Sequence, residues 1–129
     1  NRLLTWLVRE TGVEWQVRNA PAVQRNGWLE IGRLRNTFSP RQEVVIVPLA
    51  GNPALYVHRL RKVTGARIRT AQENRRSVTI ELRELTGPAE VDLICLEKPR
   101  RVEGADNWTF GDGRLTITRN SRGTIRVEA

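Results

Sequence analysis

A chain of 129 residues holds one compact domain or two very small ones, and can bury a core without staples. Its 39% hydrophobic and 28% charged residues make a globular composition, and no apolar run approaches the ~20 residues that a membrane-spanning helix needs. One cysteine, Cys95, excludes an internal disulfide and a cysteine-based zinc site, while 22 basic against 14 acidic residues leave a net charge of +8.

The charge is the loudest signal. The pI is about 11.3, and all the basic residues except Lys62 and Lys98 are arginine. A small, strongly basic domain points to a polyanionic partner, usually nucleic acid, less often an acidic protein or a membrane surface. Arginine forks onto phosphate and stacks on bases, although an Arg-for-Lys bias equally reflects genome composition. A first residue Asn1 and the absence of Met read as a processed or excised piece.

In chain order, Leu3, Leu4, Leu7 and Val8 fall at helical spacing within Asn1 to Glu10, and Gly12 suits a helix end. Val13 to Val17 alternates as a half-buried strand. Asn19 to Asn26 reads as a loop, Trp28 to Leu34 as a second alternating strand, and Asn36 to Gln42 as a connection. Glu43 to Leu49 is a nearly continuous apolar strand, central in a sheet or buried on both faces. Asn52 and Pro53 then have the chemistry of a helix start, and Ala54 to Val63 places Leu55, Tyr56, Leu60 and Val63 on an inner helical face. Thr64-Gly65 ends that helix. Ala66, Ile68 and Thr70 lead a strand out, Gln72 to Arg76 turns, and Val78 to Leu85 is a strong strand. Ala89 to Leu96 fits a short helix or a strand. Trp108 to Phe110, Arg114 to Thr118 and Thr124 to Glu128, separated by Gly-rich and polar turns, read as a β-meander.

Shifting the sequence by 53 residues lays Leu4, Leu7, Thr11-Gly12-Val13 and Trp15 over Val57, Leu60, Thr64-Gly65-Ala66 and Ile68, which suggests a duplicated helix–strand–strand unit. The stretch from Val44 to about Leu96, with "VVIVP", "VHRLRKVTGARI" and "SVTIEL", resembles the K-homology domain, an RNA-binding α+β fold. The first unit, Leu3 to Leu34, looks like a second copy lacking its opening strand. The Gly-x-x-Gly loop with which such domains clamp phosphates is missing. The same stretch is similar to the periplasmic ring-building domains of bacterial secretins, whose faces pack against neighbouring subunits.

The expected fold is therefore α+β: two K-homology-like helix–strand–strand units on mixed sheet, at 1–42 and 43–103, with a β-hairpin segment at 104–129. No catalytic constellation stands out. His58 is the only histidine and reads as a solvated surface group, Cys95 as a buried small hydrophobe, and Asp112 as a turn residue; neither a metal nor a cofactor is expected. The candidate nucleic-acid contacts are Arg59, Arg61 and Lys62 on the helix, Arg67 and Arg69 on the next strand, and Arg75 and Arg76 in the loop. Trp6 is an exposed stacking contact, while Trp15 and Trp28 fill the core. Arg100, Arg101, Arg114, Arg119, Arg122 and Arg126 offer a second surface. The expected partner is RNA or another polyanion in an intracellular compartment, with periplasmic protein assembly as the alternative. The two differ in a checkable way: RNA binding needs the candidate arginines exposed and contiguous, assembly predicts apolar patches and interlocking charge pairs.

Overall fold

The computed structural model describes residues 5–10, 13–32, 43–71 and 76–129, and throughout them the regular structure is strand, with no helix. Eleven strands run in order: β1 (Thr5–Glu10), β2 (Val13–Arg18), β3 (Ala22–Arg25), β4 (Trp28–Ile31), β5 (Glu43–Ala50), β6 (Leu55–Ala71), β7 (Ser77–Cys95), β8 (Arg101–Glu103), β9 (Asn107–Gly111), β10 (Arg114–Arg119) and β11 (Gly123–Glu128). The α+β expectation is thus corrected to all-β, and the two proposed helices are strands β1 and the first half of β6.

All pairings are antiparallel and join into one sheet. The long hairpin β6–β7 is its spine and belongs to two layers. The first half of β6 and second half of β7 sit in the order β1-β2-β5-β6-β7-β10-β9. Their other halves are flanked by β4 and β11, which carry β3 and β8 outside them. The layers close face to face: Trp15, Ile46 and Val57 of the first and Leu29, Ile68 and Thr70 of the second line one small internal cavity. A single cluster of buried side chains, including Val17, Val44, Leu60, Ile80, Leu93, Ile117 and Ile125, fills the space between them.

The helix expectation failed for a specific reason. Opposite β7, the register shifts between Val57 and Arg59, between Arg61 and Val63, between Val63 and Gly65, and between Gly65 and Ala66. His58 and Thr64 are extra residues in β6, whereas Lys62 faces a longer excursion of β7 (residues 86–89) and the last shift leaves Arg83 extra in β7. Around His58, Lys62 and Thr64 the two-residue step between inward side chains becomes a three-residue step. The buried set runs Val57, Leu60, Val63, Ala66, a spacing indistinguishable from a helical stripe. Beyond the last bulge the two-residue step returns with Ala66 and Ile68. Lys62 takes the bulge conformation at φ 60°. Thr64-Gly65 is thus part of the bend that carries β6 from one layer to the other, not a helix end. Its presumed twin, Thr11-Gly12, lies outside the described residues, between strands paired from Glu10↔Val13 to Thr5↔Arg18. The two aligned units consequently differ: one is a hairpin, the other a single bent strand.

Other expectations fare better. Val13 to Val17, Glu43 to Leu49, Val78 to Leu85 and Ala89 to Cys95 are strands. Asn19 to Asn26, expected as a loop, contains β3, which turns into β4 through Asn26-Gly27 at φ 53° and 82°, the left-handed pair of a two-residue hairpin. Asp112-Gly113 (φ 52° and 73°) does the same between β9 and β10. The tail is not a meander, because β11 leaves β10 and pairs with β7 and β8 in the other layer. The expected connection at Asn36 to Gln42 lies outside the described residues.

Candidate nucleic-acid interface

The arginines nominated from sequence fall on two different outer faces. On the first layer, the turn after β2 is closed by Asn19, buried at φ 78°, whose side-chain amide donates to the Glu43 carbonyl at 2.9 Å. This fixes the start of β5. Cross-strand register then places Glu43 opposite Arg61, Arg61 opposite Glu90, and Arg59 opposite Asp92. Arg61 Nε donates to Glu43 Oε2 at 3.0 Å, and its other nitrogens reach Asp92 at 3.3 Å and Glu90 at 3.5 Å. Arg59 reaches the second Glu43 oxygen at 3.4 Å. Burial works against the Arg61 charge. The Glu43 hydrogen bond and the charges of Asp92, Glu43 and Glu90 outweigh it and push the pKa up. Two cations face three carboxylates here, so this cluster repels phosphate.

The second layer differs. The outward side chains of β3, β4, β6, β7 and β11 form cross-strand rows. One row runs Arg25–Trp28 across β3 and β4, then Arg69–Thr79–Arg126 across β6, β7 and β11. Trp28 ties the two parts together: the Arg69 guanidinium lies 4.4 Å from its ring centroid and that of Arg67, one row away, 4.1 Å. Trp28 is therefore an outward, half-buried platform, not the core residue expected. Arg69 also donates to the Asn26 carbonyl of the hairpin turn at 3.2 Å.

The neighbouring row holds Glu30 and Glu81, each matched to an arginine, while Glu103 of β8 stands opposite Arg126 in register and pairs with Arg101 at 3.4 Å. Arg67 meets Glu81 with two hydrogen bonds, at 2.5 and 3.0 Å. That bond, against a smaller opposing effect of burial, holds the Glu81 carboxyl below its ordinary range, helped by the charges of Arg67, Arg83 and Arg69. Glu30 is reached by Arg25 at 3.5 Å and by Arg83 at 4.0 Å. Among the described residues, no carboxylate lies within ion-pair distance of Arg69 or Arg126, and both are exposed. Arg76 is exposed at the same end of the layer, where its carbonyl accepts from the Ala129 amide, and Arg100 is tied nearby through its amide to the Glu128 carbonyl.

The remaining nominees scatter. Lys62 is exposed at the bend, and Arg75 lies outside the described residues. Trp6 is half-buried and packs against the core, so it is not the exposed contact expected. Arg119 directs its guanidinium to the carbonyls of Ser121, Gly104 and Arg122 and acts as a clamp on the β10–β11 turn. His58 is half-buried, with Nδ1 donating to the Ile46 carbonyl at 2.9 Å, instead of solvated. Cys95 is buried as expected; burial pushes its thiol pKa up, against the smaller effect of a bond donated to the Glu97 carbonyl. Among the described residues there is no group of three or more metal-capable side chains, and no helix is long and apolar enough to cross a membrane. Sequence reasoning missed Glu43, Glu90 and Asp92 as the partners that occupy Arg59 and Arg61, and Trp28 as the support for Arg67 and Arg69. The Asn26-Gly27 dipeptide, a hairpin signal, was the cue that could have found the β3–β4 face.

No family model, curated protein or solved structure matches the chain, so a functional reading stands on this geometry alone.

Proposed function

We propose that the chain is a non-catalytic nucleic-acid-binding module, with single-stranded RNA as its ligand, and that the outer face of the second layer is the interface. The observation that carries this reading is the row Arg25–Trp28–Arg69–Thr79–Arg126, with Arg69 and Arg126 exposed and neither within ion-pair distance of a described carboxylate, although Glu103 stands opposite Arg126 in register. At the usual strand spacing the row spans about 19 Å across five strands. A guanidinium held over an indole has already lost rotamer freedom, so less entropy remains to be lost when it takes a phosphate. An open sheet face bearing an aromatic between arginines lets a single strand lay its phosphates on the cations and its bases on the flat groups. No reacting group is required, and none is assigned.

Fluorescence anisotropy with a labelled single-stranded RNA tests the reading. Wild type binds in the micromolar range at physiological salt, and Arg69→Glu/Arg126→Glu weakens it about 100-fold, as expected for reversing two phosphate contacts. Unchanged affinity in that variant overturns the assignment of the face, and no binding by wild type overturns the reading.

A second reading, a protein-assembly module, is favoured by one observation. Leu7, Val45, Val47 and Leu49 gather on the outer face of the first layer at β1, β2 and β5, with Leu7 and Leu49 exposed. They lie beside the interlocked Arg59–Glu43–Arg61 pairs. Failure of RNA binding with an intact fold favours this reading.

A further inference from the structure

We infer that the groove beside the arginine row is a base pocket selective for guanine, with Glu30 as its discriminating residue, an assignment that rests on the RNA reading above and sharpens it. The groove is open and has a volume of about 410 Å³, in the range of small-ligand sites and ample for one nucleobase. Pro21, Val23 and Ala66 give it an apolar lining, and Arg25, Glu30 and Arg83 line it from β3, β4 and β7. Arg83 is the residue left extra by the last register shift of β7, the kind of irregularity that re-aims a side chain.

Glu30 and Glu81 share a row but are held differently. Arg67 stands between them in register, opposite both, and turns to Glu81, whose two oxygens it closes with hydrogen bonds. Glu30 is left with Arg25 at 3.5 Å on one oxygen and Arg83 at 4.0 Å on the other. Both distances exceed the roughly 2.7–2.9 Å of a charge-assisted hydrogen bond. The two arginine side chains are 68% and 50% exposed, and ion pairs of that kind contribute little. The carboxylate itself is only 25% exposed, so it is fixed in place while its oxygens stay open to a better donor.

The occupant follows from the two charged groups together. Guanine carries N1–H and N2–H donors side by side, which the two oxygens of Glu30 accept, and next to them the O6 and N7 acceptors that suit the Arg83 guanidinium. No other base matches both. Adenine turns the N1 lone pair to the carboxylate, cytosine sets the N3 lone pair beside its one amino donor, and uracil offers a single N–H between two carbonyls. Each leaves an oxygen of Glu30 unmatched or facing a lone pair. Arg25 keeps its place in the phosphate row. Trp28 lies on the same side of β4 as Glu30, two residues and about 7 Å away, so a strand held by Arg25 and Arg69 passes beside the groove.

Anisotropy with labelled uridine strands of equal length, each carrying one central guanosine, adenosine, cytidine or inosine, tests this; the readout is each affinity relative to the all-uridine strand. Wild type prefers the guanosine strand by about tenfold or more, the discrimination of one bidentate base contact. Adenosine and cytidine give ratios near one, and inosine, which lacks the N2 amine, falls well below guanosine. Glu30→Gln keeps the side chain's size but sets a donor where an acceptor stood, and brings the guanosine ratio close to one. A wild-type guanosine ratio near one, an inosine strand bound as well as the guanosine strand, or a preference that survives Glu30→Gln overturns the proposal and leaves the RNA reading standing. Failure of wild type to bind any of the strands overturns the RNA reading, and the pocket with it.

Discussion

The two outer faces of this sandwich use the same residue type for opposite ends. On the first layer, Arg59 and Arg61 are held among Glu43, Glu90 and Asp92, with Arg61 22% and Glu43 14% exposed. On the second, Arg69 and Arg126 stand in solvent, and Arg69 is steadied by an indole rather than by a carboxylate. An arginine between carboxylates is part of the sheet's own cross-strand pairing. An arginine over an aromatic keeps its charge available. The difference shows that net charge and local density of arginine say little about binding until cross-strand partners are known.

The largest expected effect breaks the first face. Arg61→Glu sets a fourth carboxylate among three in a mostly desolvated cluster and destabilises the fold by about 2–4 kcal/mol, read as a lowered denaturation midpoint. RNA affinity of the folded protein is unchanged. The complementary change, Arg69→Glu/Arg126→Glu, inverts this: about 100-fold weaker RNA binding, with a midpoint close to wild type because neither side chain is buried.

How much of this was legible in the sequence depends on whether the two-residue period is interrupted. Val13 to Val17 and the β9–β10 hairpin alternate, Glu43 to Leu49 is a nearly continuous apolar run, and each can be read directly as strand. β6 cannot, because four register shifts between Val57 and Ala66 give its inward residues a helix-like spacing, and such irregularities are specified by the partner strand, not by local propensity. The same gap hid the site. Arg67 and Arg69 share a strand face in any strand reading, but the residues that occupy Arg59 and Arg61 come from β5 and the far half of β7. Trp28 fails for a simpler reason: alternation with Leu29 shows that the two point to opposite sides, without showing which side is inward.

Two smaller effects sharpen the comparison. Trp28→Ala removes the platform, lowering stability by about 1–2 kcal/mol and weakening RNA binding about tenfold, since Arg69 keeps its charge but loses its restraint. Glu81→Gln gives the smallest effect and a distinctive pH dependence. Arg67 holds the folded pKa of Glu81 below its unfolded value, so the carboxylate contributes stability at pH above the ordinary range near ~4.3 and loses it as pH falls through the depressed value. The gap between wild type and Glu81→Gln is therefore present at neutral pH and closes in acid, which urea melts across pH 2–7 would show.

The most direct test of the division between the faces is the salt dependence of RNA binding, measured for wild type, Arg59→Gln/Arg61→Gln and Arg69→Gln/Arg126→Gln. Each phosphate contact on a single strand contributes about 0.7 to the slope of log affinity against log salt. The account predicts that the first pair leaves the slope as in wild type and the second lowers it by about 1.4. A slope that falls with Arg59→Gln/Arg61→Gln, or holds with Arg69→Gln/Arg126→Gln, would contradict it.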